Sequence, residues 1–231
     1  MPPLPWVDTT VEAPLSQLVG ADDIAPFLAY FGRDETLRWR ISAPRDAAAR
    51  APQGLVVFVS ANGSGTVPAM WRPLLVEKNL VWIGADDAGN DASTQRRVLQ
   101  ALLAARLAAR AHDIDPRRIY LAGFSGGSRV ASRMAPLYPQ AFRGYVFMGG
   151  ASAWGREPPR DLPLMRERGY VFVNGSDDFN LDEGRSVSRR FRGAGLDHVE
   201  FIEVPGLDHH LPDAAVLGWA IDYLDAHPPR E

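Results

Sequence analysis

The chain contains no cysteine, which removes disulfides, thiolate metal sites and a cysteine nucleophile in one step. Lysine is nearly absent as well. All but Lys78 of the 25 basic residues are arginine, and they are scattered rather than gathered into a run, the pattern of a solvated surface. A net charge of −3 carries no electrostatic footprint for nucleic acid or for an anionic membrane as partner. No stretch approaches the roughly 18 apolar residues that a bilayer span requires, so no membrane span is expected. The opening MPPLPWVDTTVEAPL lacks the charged and apolar regions of a signal peptide. The protein is cytoplasmic if Met1 is native, and periplasmic or secreted if a signal peptide was removed. Internal repeats and low-complexity segments are missing, and only the ends, Met1–Pro5 and His227–Glu231, are proline-rich. Nothing in the sequence signals an oligomeric state.

What is present is ordinary for a globular chain: 231 residues, 46% hydrophobic and 23% charged, enough for one domain over residues 1–231 with a substantial core. Short apolar runs alternate with helical patterns. Leu37–Ser42 alternates like a half-buried strand. Gly54–Ser60 (GLVVFVS) and Asn79–Ala85 (NLVWIGA) are continuous apolar runs, the mark of strands buried on both faces. Arg118–Ala122, Gly144–Met148, Gly169–Val173 and Val199–Val204 complete the predicted strands. Helices are expected over Ala92–His112, from Ser125 to about Tyr138, and over Leu181–Gly193 and Pro212–Ala226. This alternation predicts an α/β protein, a three-layer α/β/α sandwich on a mostly parallel sheet. In such sheets reactive groups sit beyond the carboxyl ends of the strands.

The segment Gly123-Phe124-Ser125-Gly126-Gly127 fits G-x-S-x-G, between a predicted strand and a small-residue helix. That context points to a nucleophile presented on a tight elbow; the alternative is a small-residue packing contact. A serine nucleophile needs a base, and the base needs an orienting acid, in the order Ser, Asp or Glu, His. Strand Gly169–Val173 leads into Asn174-Gly175-Ser176-Asp177-Asp178, where two carboxylates compete. Asp178, three residues after the glycine, is the choice; Asp182 and Glu183 are weaker candidates, and the aspartates can alternatively cap the next helix. Strand Val199–Val204 leads into Pro205-Gly206-Leu207-Asp208-His209-His210. Here His209, three residues after Gly206, is chosen as base over His210, while His112 and His198 lie at the wrong ends of their elements and His227 lies in the C-terminal tail. Adjacent histidines are also half of a metal site, but no third ligand stands at useful spacing. Backbone N–H groups of Gly126 and of Asn62, in the loop after Gly54–Ser60, are the expected oxyanion donors. The nearby Gly63-Ser64-Gly65 lacks the lysine and glycine order of a nucleotide loop.

The stretches IDPRRIYLAGFSGG (Ile114–Gly127) and YPQAFRG (Tyr138–Gly144), with the Asp178 and His209 loops, resemble the α/β-hydrolase superfamily. Within it the chain is similar to small esterases of the polyhydroxybutyrate-depolymerase, feruloyl-esterase and dienelactone-hydrolase group. The resemblance runs from Gly54 to the C-terminus. It implies an eight-strand-type sheet with the Ser125, His209 and Asp178 triad at its carboxyl edge, and a carboxylesterase-type serine hydrolase acting through an acyl-enzyme. It calls for no metal or organic cofactor. The connection from Gly149 to Arg168 is too short for a full lid domain, which implies an open site for a small-molecule or chain-end ester. Phe124 and Trp154, with Trp71 and Leu211, are candidates to wall the substrate pocket; the alternative for each aromatic is ordinary core or surface packing. The chain departs from the group in two ways. Ser60-Ala61 stands where a lipase-like oxyanion loop carries His-Gly, and the cysteines of many secreted depolymerases are missing. A serine peptidase of the same fold and a catalytically degenerate binding protein are rival readings; a flavodoxin-like regulator is a third, which leaves the ordered Ser, Asp and His unexplained. Amide substrates would reveal the first and failure to react with phosphonates the second.

Overall fold

The computed structural model describes residues 5–20, 22–46, 49 and 52–228; Met1–Leu4 and Pro229–Glu231, the outer parts of the proline-rich ends, lie outside them. In chain order the elements are β1 (Trp6–Pro14), α1 (Leu15–Leu18), α2 (Ala25–Leu28), β2 (Thr36–Pro44), β3 (Gln53–Val59), α3 (Arg72–Glu77), β4 (Leu80–Ala85), α4 (Thr94–Ala111) and β5 (Ile114–Phe124). Then follow α5 (Gly126–Leu137), β6 (Gly144–Met148), α6 (Leu162–Met165), β7 (Gly169–Gly175), α7 (Leu181–Gly193), β8 (Val199–Val204) and α8 (Ala214–Ala226). All eight strands join one sheet in the order β1-β2-β4-β3-β5-β6-β7-β8. β1 and β2 run antiparallel to each other, and β2 antiparallel to β4, while every later pairing is parallel.

Every residue of β3, β4, β6 and β7 is buried, which is why these strands read as unbroken apolar runs. Their alternate side chains feed two cores, because successive residues of a strand point to opposite faces. Leu55, Val57, Val81, Ile83, Leu121, Phe147 and Phe172 pack with residues of α4, α5 and α7. Val56, Phe58, Trp82, Tyr120, Val146 and Val171 pack with α3 and α8. Two helical layers therefore enclose the sheet. The sequence reading omits the short helices α1, α2, α3 and α6 and one strand, β1, which pairs only with β2 at the edge and is mostly exposed, so no apolar periodicity marks it.

The chain leaves β3 toward the α3 layer and leaves β5 toward the α5 layer. These two strands are neighbours, so their carboxyl ends flank the crevice where α/β sheets bind ligands. Between β6 and β7 the short α6 is the one helix.

Candidate active site

Strand β5 and helix α5 meet at Ser125 without a connecting loop. The Ser125 backbone takes φ 53 and ψ −119, a sparsely populated conformation for a residue with a side chain and one that costs about 1–3 kcal/mol. Its neighbours explain how it is held. A Cβ on Gly123 would stand 2.6 Å from the carbonyl of Gly127, and a Cβ on Gly127 would stand 1.9 Å from the carbonyl oxygen of Val59. Strand β5, helix α5 and the end of β3 thus touch backbone to backbone, which glycine alone permits. The Ser125 N–H is fixed to Met148 O at 2.8 Å, on β6. Gly126 opens α5, so its N–H has no acceptor within the helix.

The loops after β7 and β8 bring their residues to this point. His209 Nε2 lies 2.8 Å from Ser125 Oγ, and His209 Nδ1 lies 3.0 and 3.1 Å from the two oxygens of Asp178. Asp178 is buried and also accepts the Asn180 N–H at 2.8 Å. Asp177 is exposed and accepts from Ser176 Oγ, and His210 is exposed and pairs with Asp208. The structure therefore brings Asp178 and His209 to Ser125 and turns Asp177 away from it. Gly149 lies beneath the cluster, where a Cβ would stand 2.8 Å from the Phe124 ring and 3.3 Å from both Asp178 and His209.

Two residues around this cluster escape a reading of the sequence. Asn180 donates through Nδ2 to Gly149 O at 3.0 Å and accepts from Arg129 at 2.8 Å, tying the acid's loop to β6 and α5. Phe179 is 78% exposed, and its ring lies 4.3 Å from that of His209; Phe124 stacks on the same imidazole at 5.0 Å. The imidazole is held between two aromatic rings. Adjacency to Asp178 is the one sequence signal for Phe179, and Asn180 has none beyond its place two residues after the acid.

Beside Ser125 opens a cleft of about 660 Å³ lined by Phe58, Val67, Met70, Phe124 and Leu211 on its apolar side, with Ser60, Asn62 and His209 among its polar groups and Ala61 between the first two. Of the wall candidates, Phe124 and Leu211 line this cleft. Trp154 does not: it packs at 4.8 Å on Phe191 with Arg190 over its ring, so contacts on α7 hold it outside the cleft lining. Trp71 is fully buried against Phe58 and Trp82, one layer behind the wall. Asn62 lines the cleft, and its backbone donor is engaged within its own turn. Its N–H turns to Ser60 Oγ at 3.2 Å while Ser60 Oγ donates to Asn62 Oδ1 at 2.6 Å, so the local turn occupies that donor. Among the described residues no group of three His, Asp or Glu side chains gathers to hold a metal ion, and no helix is long and apolar enough to cross a membrane.

Solved structures share this arrangement of strands and helices. A putative dienelactone hydrolase from Klebsiella pneumoniae superposes with a TM-score of 0.61 at 16% identity, covering 92% of this chain and 95% of its own. The feruloyl esterase module from Clostridium thermocellum, solved with sinapinate, gives 0.65 at 11% identity over 97% and 90%. The fluorophosphonate-binding serine hydrolase F of Staphylococcus aureus gives 0.66 at 12% identity over 95% and 98%. The chain has the α/β-hydrolase fold. No family model and no curated protein matches it in sequence. At such identities the likeness is one of architecture, and within the α/β-hydrolase fold chemistry has to be argued from the site itself.

Proposed function

We propose that the protein is a serine hydrolase cleaving carboxylic esters, with Ser125 as nucleophile, His209 as general base and Asp178 as the group that orients the base. One observation carries the reading. Three side chains from the carboxyl ends of β5, β7 and β8 form an unbroken relay of 2.8 and 3.0 Å contacts at a strained elbow. Asp178 accepts a hydrogen bond from Nδ1–H and so fixes the tautomer in which Nε2 faces the serine hydroxyl. His209 takes the hydroxyl proton as Ser125 Oγ attacks the ester carbonyl. The imidazolium then gives that proton to the departing alcohol, and water, activated by the same imidazole, releases the acid from the acyl-enzyme.

The developing oxyanion falls between the N–H of Gly126 and the loop after β3. With Asn62 N–H turned to Ser60 Oγ, Ala61 N–H is the second donor in this reading. The cleft wall of Phe58, Val67, Met70, Phe124 and Leu211 favours an ester with an apolar or aromatic group. No lysine, arginine, aspartate or glutamate lines the cleft, so the preferred substrate is uncharged. The esterase and feruloyl esterase neighbours support ester over amide chemistry.

Labelling by a fluorophosphonate, with the adduct mapped by mass spectrometry and Ser125→Ala as control, tests the nucleophile. An adduct on Ser125 together with hydrolysis of neutral aryl esters is the expected result. A folded protein that takes no label would overturn the assignment.

A further inference from the structure

Arg97, near the start of α4, is only 5% exposed. Its guanidinium donates to three neutral oxygens: Nε to Ala88 O at 2.9 Å, Nη1 to Asn90 Oδ1 at 3.3 Å and Nη2 to Ser60 O at 2.6 Å. Among the described residues it forms no ion pair. Burial holds its pKa below the usual arginine value, with the charge of Asp91 acting in the opposite sense. A buried cation without a carboxylate is a poor stabilising device, since desolvation opposes it. Its surroundings suggest another use.

All three acceptors belong to the two loops that abut the nucleophile. The Asn90 N–H donates to Ala61 O at 2.9 Å. A Cβ on Gly126 would stand 2.0 Å from Asn90 Oδ1, so the Asn90 amide lies directly against the first residue of α5. One guanidinium therefore ties the turn at Ser60–Asn62 to the start of α5. The peptide joining Ser60 to Ala61 is planar, so its N–H points opposite to the carbonyl that Arg97 holds. A cation on the carbonyl oxygen draws electron density along the amide, and the N–H at the far end becomes a stronger donor. That far end belongs to Ala61, which lines the cleft.

We propose that Arg97 is a positioning residue that polarises the Ser60–Ala61 peptide and aligns Ala61 N–H with Gly126 N–H as a paired oxyanion site. The inference rests on the serine hydrolase reading above. Arg97 never touches substrate; it acts through a peptide group, and its effect is confined to states in which the carbonyl oxygen carries charge.

The test compares wild type with Arg97→Gln on a neutral aryl ester, with a trifluoromethyl ketone as an analogue of the charged intermediate. Removing one oxyanion donor outright lowers kcat by about 100- to 1000-fold, and losing the charge behind a donor should lower it by about 10- to 100-fold. KM should stay within about threefold, because the ground-state carbonyl makes less use of the polarised donor. Inhibition by the ketone should weaken in parallel with kcat/KM. A folded Arg97→Gln protein with unchanged kcat, or with KM alone altered, overturns the proposal. Should that variant fail to fold, the wild-type protein decides: the Ala61 amide proton is expected to move downfield when the ketone binds, and an unmoved resonance overturns the inference. Failure of wild type to take a fluorophosphonate would instead strike the underlying serine hydrolase reading.

Discussion

The two ends of the sheet use similar polar groups to opposite effect. At the amino end, Arg118 on β5 donates twice to Asp225 on α8 at 2.8 Å, Tyr120 donates its hydroxyl to the same carboxylate, and Lys78 reaches Asp222 at 2.6 Å. Burial and the Asp225 charge push the Tyr120 hydroxyl far above its ordinary acidity range. Each charge there has found its partner, and the cluster staples α8 to the sheet. At the carboxyl end, the Ser125, His209 and Asp178 relay stops at a half-exposed hydroxyl next to the cleft that His209 and Phe124 line, beside helix-start amides without intrahelical acceptors. The contrast teaches that a perturbed titratable group is a poor guide here. The largest upward pushes fall on Tyr120, Tyr145 and Tyr170, all inside packed regions. A reactive site is marked instead by polar atoms left available on a rigid frame.

Substitutions at the two ends should separate cleanly. The largest effect belongs to Ser125→Ala, expected to lower kcat by about 10⁶-fold with an unchanged circular dichroism spectrum. Residual turnover above a percent of wild type in initial-rate assays would contradict it. Asp178→Asn comes next, with a loss of about 10⁴-fold from the wrong imidazole tautomer. Asp177→Asn should stay within about threefold, since surface substitutions away from such features change little. The reverse ranking would move the acid by one residue.

At the other end, Asp225→Asn leaves the partly buried Arg118 with a neutral partner. We expect a loss of about 2 kcal/mol in urea unfolding and an unaltered kcat; a changed kcat with stability intact would break the division between the ends. Aromatic truncations sharpen the same point. Phe124→Ala should raise KM for aryl esters, whereas Trp154→Ala should lower the melting temperature and spare KM.

The smallest effect is electrostatic. The Arg96 guanidinium holds the Glu35 carboxyl below its ordinary value of 4.5. A lowered folded-state pKa means that the unfolded chain binds the proton more readily. The stabilisation is therefore present above pH 4.5 and is lost as pH falls through the folded value. Glu35→Gln should flatten the stability curve in that acidic window and leave it parallel to wild type at neutral pH, as followed by thermal unfolding.

How much of this could be read in advance depended on where each residue's partners lie along the chain. Strands β3, β4, β6 and β7 announce themselves because burial on both faces favours an apolar residue at nearly every position, Gln53 and Asn174 at strand ends excepted. Strand β1 does not, since an exposed edge accepts Asp8, Thr9, Thr10 and Glu12. The elbow, acid and base are local signals, each a short loop following a strand. Arg97 and Asn180 owe their importance to groups 37 and 31 residues away, and no spacing rule announces such a contact. Aromatic residues are the hardest to place. Trp71 and Trp154 have the composition of a pocket wall, and only packing against Phe58 and Phe191 reveals them as core.

The interlocked glycines at the elbow have a consequence for the protein's descent. Any side chain at Gly123 or Gly127 meets main-chain atoms, which no change of rotamer can relieve. A tolerated replacement would have to shift helix α5 itself, and Gly126 with it. Ser125, in contrast, is half-exposed and points its reactive atom at His209 beside the cleft. One codon can change the chemistry at this position, while the two codons that frame it are nearly frozen. New activities on this scaffold should therefore arise by exchanging the nucleophile or the cleft wall, and lineages that lose the reaction should keep the glycines longer than the serine.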